Sequence, residues 1–192
     1  MIKTNQKIYL ASKSPRRRKL LKQLGLNFKA FSVNSVEDFL DGEHPVECVK
    51  RIALEKMDIA RRRVDDGIVI TADTIVVLGK KVIGKPTSKN DAIKILSMLS
   101  GKVHTVYTGF CVLNQKTNRI VVDYEKTEVE FRQLKKDEIA DYVEGGSPMD
   151  KAGGYGIQDD FGAVFVKRIN GCYYNVVGLP LTKLYNVLRK VS

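Results

Sequence analysis

The feature that most constrains the fold is a long apolar run from residue 68 to residue 78, in which nearly every side chain is β-branched. This composition predicts the strongest strand of the chain. Only the tetrad at 71–74 interrupts it, and that tetrad contains Asp73. An unpaired carboxylate is costly to bury, so Asp73 needs a hydrogen-bond partner, a cation or a metal ion. The alternative is a carboxylate that caps a loop at the strand end.

Strand and helix signals alternate around this run in a chain of 192 residues. The first pair is a strand at 8–11 and a helix at 16–24, with Ser14 as its N-cap and Pro15 as its first residue. Further strands are predicted at 28–33, 80–84, 105–113, 120–132, 163–169 and 173–177, and helices at 45–64, 91–99, 136–143 and 181–191. Helices alternate with strands early and hairpins dominate the middle, which predicts an α/β fold with a mixed sheet in one domain, 1–192.

Positive charge is concentrated at the start of the chain. The formal net charge is +11, and residues 1–30 contain nine basic residues and no acidic one. The remaining residues are close to neutral, with 24 basic and 22 acidic side chains. This asymmetry favours one local anion site over a surface spread for non-specific DNA binding. A solvated helix face is the alternative, and we expect Lys19, Lys22 and Lys29 to face solvent.

The segment Ser12-Lys13-Ser14-Pro15-Arg16-Arg17 lies between a predicted strand and a helix N-terminus, where unpaired N–H groups and the helix dipole favour an anion. Guanidinium groups match phosphate oxygens two at a time, so Arg16 and Arg17 are the better phosphate ligands there. The segment is not a Walker loop, which disfavours classical ATPase chemistry.

Three other positions and one glycine-rich segment contain candidate catalytic or binding residues. Lys85, in a Gly-Lys-Pro turn, could return toward the strand end at Asp73. Lys56 lies in an amphipathic helix, where a plain surface lysine is the ordinary expectation. Asp38 follows Glu37 in a loop and forms a carboxylate pair that is weak by itself. The glycine-rich segment 150–158 combines Asp150, Lys151 and Gln158 with backbone that a ligand can approach closely, although a hinge loop would have the same composition.

Several classes of protein are excluded or disfavoured. The N-terminus has no secretory core and no span of about 20 apolar residues, so we expect a cytoplasmic protein. Three widely spaced cysteines, Cys48, Cys111 and Cys172, argue against a disulfide frame or a zinc knuckle and are expected to be reduced and mostly buried. With two unrelated histidines, any metal is expected to be a hard cation held by carboxylates and phosphates.

Taken together, six motifs in a consistent order resemble the Maf family of nucleoside triphosphate pyrophosphatases. The resemblance runs from about residue 8 to residue 190 and rests on segments 10–17, 72–74, 84–86, 99–104, 150–153 and 175–180. It implies an elongated mixed sheet flanked by helices, with two lobes around a central cleft, similar to inosine triphosphate pyrophosphatases. It also implies a cytoplasmic enzyme that is often a homodimer.

The resemblance also assigns the residues of the site. Arg16, Thr74 and Gln158 match the subgroup that hydrolyses dTTP and UTP, whereas the m7GTP subgroup has Tyr at the first position, Ser-Asp-Gln around the second and Glu at the third. Asp73 matches the family's proposed proton acceptor. The other matching site positions are Ser12, Arg17, Lys56, Lys85, Asp150 and Lys151. Asp38 stands where the family usually has Glu, so a metal ligand at this position would be one methylene shorter.

The implied reaction is release of pyrophosphate from dTTP or UTP, with Mg²⁺ or Mn²⁺ held by the triphosphate, Asp73 and Asp38. Catalysis is expected from Asp73, Lys56 and Lys85. Neither a stable nucleic-acid complex nor membrane binding is expected. The family's association with septum formation keeps a different function open, a non-catalytic nucleotide- or nucleic-acid-binding regulator of division, although the chain has no helix-turn-helix or RNP-type aromatic pair.

Overall fold

The computed structural model describes residues 2, 4–158 and 161–192. Within them the chain forms seven strands, β1 (Ile8–Ala11), β2 (Lys29–Phe31), β3 (Ile68–Leu78), β4 (Lys81–Ile83), β5 (Val103–Asn114), β6 (Arg119–Phe131) and β7 (Val166–Asn170). The α-helices are α1 (Pro15–Gln23), α2 (Pro45–Ala60), α3 (Lys89–Leu99), α4 (Lys136–Glu144), α5 (Tyr173–Val177) and α6 (Leu181–Val191). Short 3-10 turns occur at Arg61–Arg63, Ser147–Asp150, Ala152–Gly154 and Phe161–Phe165.

All the described strands belong to one mixed sheet in the order β2-β1-β3-β5-β6-β7, and β4 pairs with β3 outside this path. β1 runs parallel to both β2 and β3. The β3/β4 and β6/β7 pairs are antiparallel, with Val76 opposite Ile83 and Val129 opposite Ile169. The predicted α/β fold with a mixed sheet is therefore confirmed.

Residue contacts divide the described residues into two compact units. One contains the residues up to Asp73 together with Thr108–Glu125 and Gly178–Ser192, and the other contains Thr74–Tyr107 and Lys126–Val177. Each unit has its own apolar core. The first core includes Ala53, Met57 and Val69. The second core is larger and includes aromatic residues of β6 and of the segment after α4.

Helix α1 begins as the sequence predicts. The Ser14 side chain accepts a hydrogen bond from the backbone N–H of Arg17 at 3.3 Å, and Pro15 occupies the first helical position, where a missing N–H costs nothing. Leu20 and Leu21 are buried, and the chain leaves the helix through Gly25 at φ +67°. The strand β1 and this helix start therefore place residues 12–14 in a short connection at the helix N-terminus.

Helix α2 packs closely on the sheet of the first unit. Gly109 of β5 lies against the backbone of Val49 and Lys50, and any Cβ at this glycine would overlap the Val49 carbonyl group. The Thr71 hydroxyl of β3 donates to the Ala53 carbonyl of α2 at 2.7 Å. These two contacts set the position of α2 along β3.

Most predicted elements are confirmed within a few residues, and the exceptions lie near the C-terminus. Residues 173–177 form the helix α5 and not the predicted strand. The buried Asn175 amide donates to the Val106 carbonyl and to the Thr127 hydroxyl, at 3.0 and 2.9 Å, and this tertiary anchoring overrides the β propensity of the segment. Residues 161–165 form a 3-10 turn, so the predicted strand at 163–169 begins only at Val166.

The cysteine prediction is confirmed. All three thiols are free, Cys48 and Cys111 are buried, and Cys172 is half-buried. Burial raises the pKa of Cys48 to about 11 and of Cys111 to about 12, so both stay protonated and unreactive near neutral pH. In the part of the chain that the structure describes, no helix combines the length and the apolar character that a bilayer span requires.

Candidate active site

The first unit brings Asp73 and Lys56 together in a buried ion pair. Lys56 Nζ lies 2.5 Å from Asp73 Oδ1, and both side chains are less than a tenth exposed. Thr71 and Asp73 point to the same face of β3, since strand side chains alternate, and Lys56 follows Ala53 by nearly one helical turn. The Thr71–Ala53 hydrogen bond therefore aligns the ion pair beside it.

The expectation of a surface position for Lys56 is wrong. Helix α2 buries Lys56 along with Ile52, Ala53 and Met57, so the lysine lies on the core-facing side of the helix. A cation there needs anionic partners, because its charge is otherwise removed from water without compensation. It has two, since Lys56 Nζ also donates to Glu37 Oε1 at 2.8 Å.

Glu37 was not singled out as a metal or site residue by the sequence, which favoured its neighbour Asp38. The structure shows why Glu37 can reach Lys56. Arg51 of α2 donates to the Asp38 backbone carbonyl at 2.9 Å and to Glu43 at 2.7 Å, and these bonds tie the loop before α2 to the helix that carries Lys56. The side chains of Glu37 and Asp38 are both exposed, and it is the Glu37 carboxylate that contacts Lys56.

Arg17 adds a second cation to this group. Its Nε donates to the Gly178 carbonyl at 2.8 Å, and its Nη1 lies 3.5 Å from the Ser12 hydroxyl. Desolvation lowers the pKa of Arg17 from its ordinary value, while the negative charges of Asp73 and Glu37 oppose that shift. Arg17 therefore remains charged next to the two carboxylates, as an arginine must at any accessible pH.

The connection before α1 places Ser12 at the N-terminus of the helix. Ser12 is buried, and its hydroxyl accepts from the backbone N–H of Ser14 at 3.2 Å. Arg16 is half-buried in the first helical turn, whereas Lys19, Lys22 and Lys29 are exposed as predicted. We therefore define the Asp73 cluster as Asp73, Lys56, Glu37, Arg17 and Ser12.

The donor set of the Asp73 cluster fits a hard divalent cation only in company with substrate. Among the described residues no three His, Cys, Asp or Glu side chains are grouped as a metal site. Two carboxylates, Asp73 and Glu37, converge on Lys56. Mg²⁺ is commonly held by one or two carboxylates together with substrate phosphates and water, which is the kind of site these residues could complete.

The second unit holds the remaining predicted residues. Thr74 follows Asp73 directly in β3 and is half-buried, and Lys85 is exposed in the turn after β4. The backbone N–H of Gly153 donates to the Gly84 carbonyl at 3.0 Å, so the glycine-rich segment is attached to the turn that carries Lys85. Gln158 is half-buried at the far end of this segment.

Lys151 is held within its own loop. Its Nζ donates to the Ser147 backbone carbonyl, lies 3.1 Å from the Ser147 hydroxyl and forms an ion pair with the exposed carboxylate of Asp150 at 3.1 Å. Ser147 was not predicted from the sequence, because a serine four residues before a lysine carries no signal of its own. Asp150 and Lys151, both predicted to bind substrate, thus contact each other within this loop.

Comparison with known proteins gives the class to which this chain belongs. Residues 7–191 match the family model described as "Maf-like protein", and the chain belongs to this family.

Individual members of the family are similar to this chain over nearly its whole length. The chain is 46% identical over 185 residues, 96% of each chain, to a dTTP/UTP pyrophosphatase of Thermoanaerobacter sp. (strain X514). It is 44% identical over 186 residues, 97% of this chain and 96% of the relative, to a dTTP/UTP pyrophosphatase of Aquifex aeolicus (strain VF5). Among solved structures, a HAM1 protein from Coxiella burnetii is 15% identical with a TM-score of 0.47, over 96% of this chain and 99% of that one.

Proposed function

We propose that this protein hydrolyses dTTP and UTP to the nucleoside monophosphate and pyrophosphate. The observation that carries the proposal is the Asp73 cluster, in which a buried Asp73–Lys56 ion pair lies with Glu37 and Arg17 beside a helix N-terminus. The names of relatives at 44–46% identity over nearly the whole chain support the choice of substrate. The reaction forms a bond between a water oxygen and the α-phosphorus, breaks the bond from that phosphorus to the β-bridging oxygen, and releases pyrophosphate.

In this proposal Asp73 accepts a proton from the attacking water. The carboxylate is suited to this role because Lys56 holds its Oδ1 in one orientation within a buried setting. Two cations, Lys56 and Arg17, lie near this carboxylate. A positioned carboxylate base of this kind typically contributes about 10² to 10⁴ in rate.

The cations of the site are proposed to balance the negative charge of the carboxylates and of the substrate phosphates. Lys56 and Arg17 already balance Asp73 and Glu37, and a triphosphate would add several negative charges to the same group. Buried donors stabilise developing phosphate charge far more strongly than exposed ones, since they need no reorganisation during the reaction. Lys85 and Lys151 are proposed as further phosphate ligands, with Ser12 and Asp150 among the other substrate-binding residues.

A divalent cation, Mg²⁺ or Mn²⁺, would be held by Asp73 and one carboxylate of the Glu37-Asp38 pair together with the phosphates. When bound, such an ion supplies Lewis-acid stabilisation of phosphate charge and lowers the pKa of water. Glu37 is the better second ligand, because its carboxylate already lies beside Lys56, 2.8 Å from Nζ.

Selection of the pyrimidine is assigned to Arg16, Thr74 and Gln158. A pyrimidine edge offers carbonyl oxygens and one N–H, for which guanidinium and amide groups are suitable partners. The proposal further includes a cytoplasmic location, a homodimer and a role in removing unwanted nucleotides from the pool.

The test is a panel of nucleoside triphosphates, assayed for pyrophosphate release with Mg²⁺ or Mn²⁺. The wild-type protein is expected to prefer dTTP and UTP, and Asp73→Asn to lose nearly all turnover while remaining folded. Asp58→Asn, an exposed carboxylate of α2, is the matched control and should keep full activity. Near wild-type turnover in Asp73→Asn would remove this residue from the mechanism. Absence of hydrolysis together with steeply salt-dependent DNA binding would instead favour a binding regulator.

A further inference from the structure

The second unit buries a histidine that the proposed chemistry does not use. His104 of β5 is 1% exposed, and its Nε2 shares a hydrogen bond of 2.8 Å with the Tyr155 hydroxyl. Edge-to-face contacts surround the ring, with centroid distances of 5.4 Å to Tyr155 and 4.9 Å to Phe131. Phe131 and Tyr155 also contact each other, at 4.7 Å, so the three rings form one group.

The hydrogen bond to Tyr155 has no substitute nearby. Nδ1 of His104 is buried and has no hydrogen-bond partner in the described part of the chain. Burial lowers the pKa of His104 to about 4, so the ring is neutral near pH 7, and burial also raises the pKa of Tyr155. Nε2 of His104 and the Tyr155 hydroxyl are therefore each other's hydrogen-bond partner away from water, and losing one leaves the other unsatisfied.

Tyr155 holds the end of a constrained glycine turn. Gly153 and Gly154 have φ values of +73° and +70°, a region that disfavours other residues. A Cβ at Gly153 would lie 2.9 Å from Cγ2 of Val76, so the turn packs directly against β3. The turn therefore depends on its packing, and Tyr155 provides a buried side-chain anchor immediately after it.

The residues on either side of this anchor are the ones proposed to bind substrate. Lys151 precedes the turn and Gln158 follows it. The hydrogen bond from the Gly153 N–H to the Gly84 carbonyl extends the same support to the turn of Lys85. A shift of Tyr155 would displace the backbone that presents these side chains.

We propose that His104 is a positioning residue, which acts through its hydrogen bond to Tyr155 to hold segment 151–158 in the conformation that binds the triphosphate. This inference rests on the proposed function, because Lys151 and Gln158 matter to catalysis only if they contact substrate. His104 itself does not touch the reacting atoms in this proposal. Its effect is expected on substrate binding and not on the chemical step at Asp73.

Two variants remove the hydrogen bond and keep the rings, His104→Phe and Tyr155→Phe. Each is expected to raise KM for dTTP about fivefold to tenfold, the effect of one buried hydrogen bond, and to leave kcat within about twofold. The double variant should be no worse than the stronger single variant, because both changes delete the same bond. His104→Gln, whose amide can reach the Tyr155 hydroxyl, should recover most of the lost affinity.

A control separates positioning from general loss of stability. Val143→Ala opens a cavity beside α4, in the same core as Phe131 and Tyr155, and is expected to lower stability without changing KM. Urea unfolding is measured for every variant. An unchanged KM in both phenylalanine variants would overturn the proposal, as would an equal KM increase in Val143→Ala.

Hydrogen exchange supplies a readout that does not need turnover. The amides of Gly153 and Gly154, bonded to the Gly84 and Lys151 carbonyls, are expected to exchange about tenfold faster in Tyr155→Phe than in the wild-type protein. If the wild-type protein hydrolyses no pyrimidine triphosphate, the proposed function fails, and unchanged exchange would separately overturn the positioning role. Tyr155→Phe loses a single oxygen atom, so it serves if His104→Phe does not fold.

Discussion

Replacing Lys56 by Met is expected to be among the most destabilising single changes in this chain. The substitution leaves Asp73, which is 5% exposed, as a buried carboxylate without the cation that lies 2.5 Å away. Breaking a buried pair in this way typically costs about 3 to 5 kcal/mol. Arg17 remains nearby and compensates in part, so we expect Lys56→Met to lower the free energy of unfolding by about 3 kcal/mol.

Replacing the other member of the ion pair, Asp73, should lower the free energy of unfolding by less. Asp73→Asn leaves Lys56 charged, but Glu37 still accepts from its Nζ at 2.8 Å, so the buried cation keeps one anionic partner. We therefore expect a loss of about 1 to 2 kcal/mol, closer to that of a single charged hydrogen bond. In Lys56→Met/Asp73→Asn no buried charge of the pair remains, so the double variant should be more stable than Lys56→Met alone.

Urea unfolding of the wild-type protein, the two single variants and the double variant gives the coupling between the side chains. Lys50→Met is the matched control on the same helix, because the ion pair of Lys50 with Glu47 is largely exposed at 3.5 Å and should contribute less than about 1 kcal/mol. The proposed coupling is refuted if Lys56→Met lowers the free energy of unfolding no more than Lys50→Met does. It is also refuted if the loss in the double variant equals the sum of the losses in the two single variants. A stable but inactive double variant would show that the pair is retained for chemistry and not for stability.

Three further outcomes follow from the same geometry. Glu37→Gln should lower turnover of dTTP at least tenfold while Asp38→Asn stays within about threefold, and the reverse order would return the second carboxylate to Asp38. The pKa of His104 is depressed in the folded protein, so its contribution to stability is present above pH 6.5 and is lost as the pH falls toward 4. The wild-type protein should thus lose up to about 3 kcal/mol more than His104→Gln across that interval in chemical unfolding, whereas parallel curves would contradict this. Arg16→Ala should impair dTTP and UTP more than ATP in the triphosphate panel, and an equal loss on every substrate would make Arg16 a phosphate ligand.

The elements that the sequence predicted well are those whose local signals agree with their packing. The helix start at Ser14-Pro15 and the closing helix α6 were predicted to within a residue, because caps and apolar periodicity act locally. The helix α5 was missed, since it depends on the Asn175 amide reaching residues far away in sequence. The intrinsic secondary-structure propensity of a segment does not predict such a long-range contact.

The site shows the same division. Asp73 could be selected from sequence, because a carboxylate within a β-branched run must be explained. Lys56 was selected only through the family resemblance, because one lysine on an amphipathic helix has many exposed counterparts. Its burial follows from how Gly109 and Thr71 set α2 against the sheet. The choice between Glu37 and Asp38 depends on the loop anchor made by Arg51, which no local pattern specifies.

The position of the positive charge indicates two separate roles for it. Of the nine basic residues before residue 31, Arg17 belongs to the Asp73 cluster, where carboxylates match the cations, while most of the others are exposed. Exposed charges are screened beyond about 8 Å at physiological salt, so they add little to the affinity of a bound ligand, but they can accelerate the approach of a polyanion. In the proposed function, the excess of +11 is therefore better suited to drawing a triphosphate toward the chain, and the nearly neutral Asp73 cluster to binding it and acting on it.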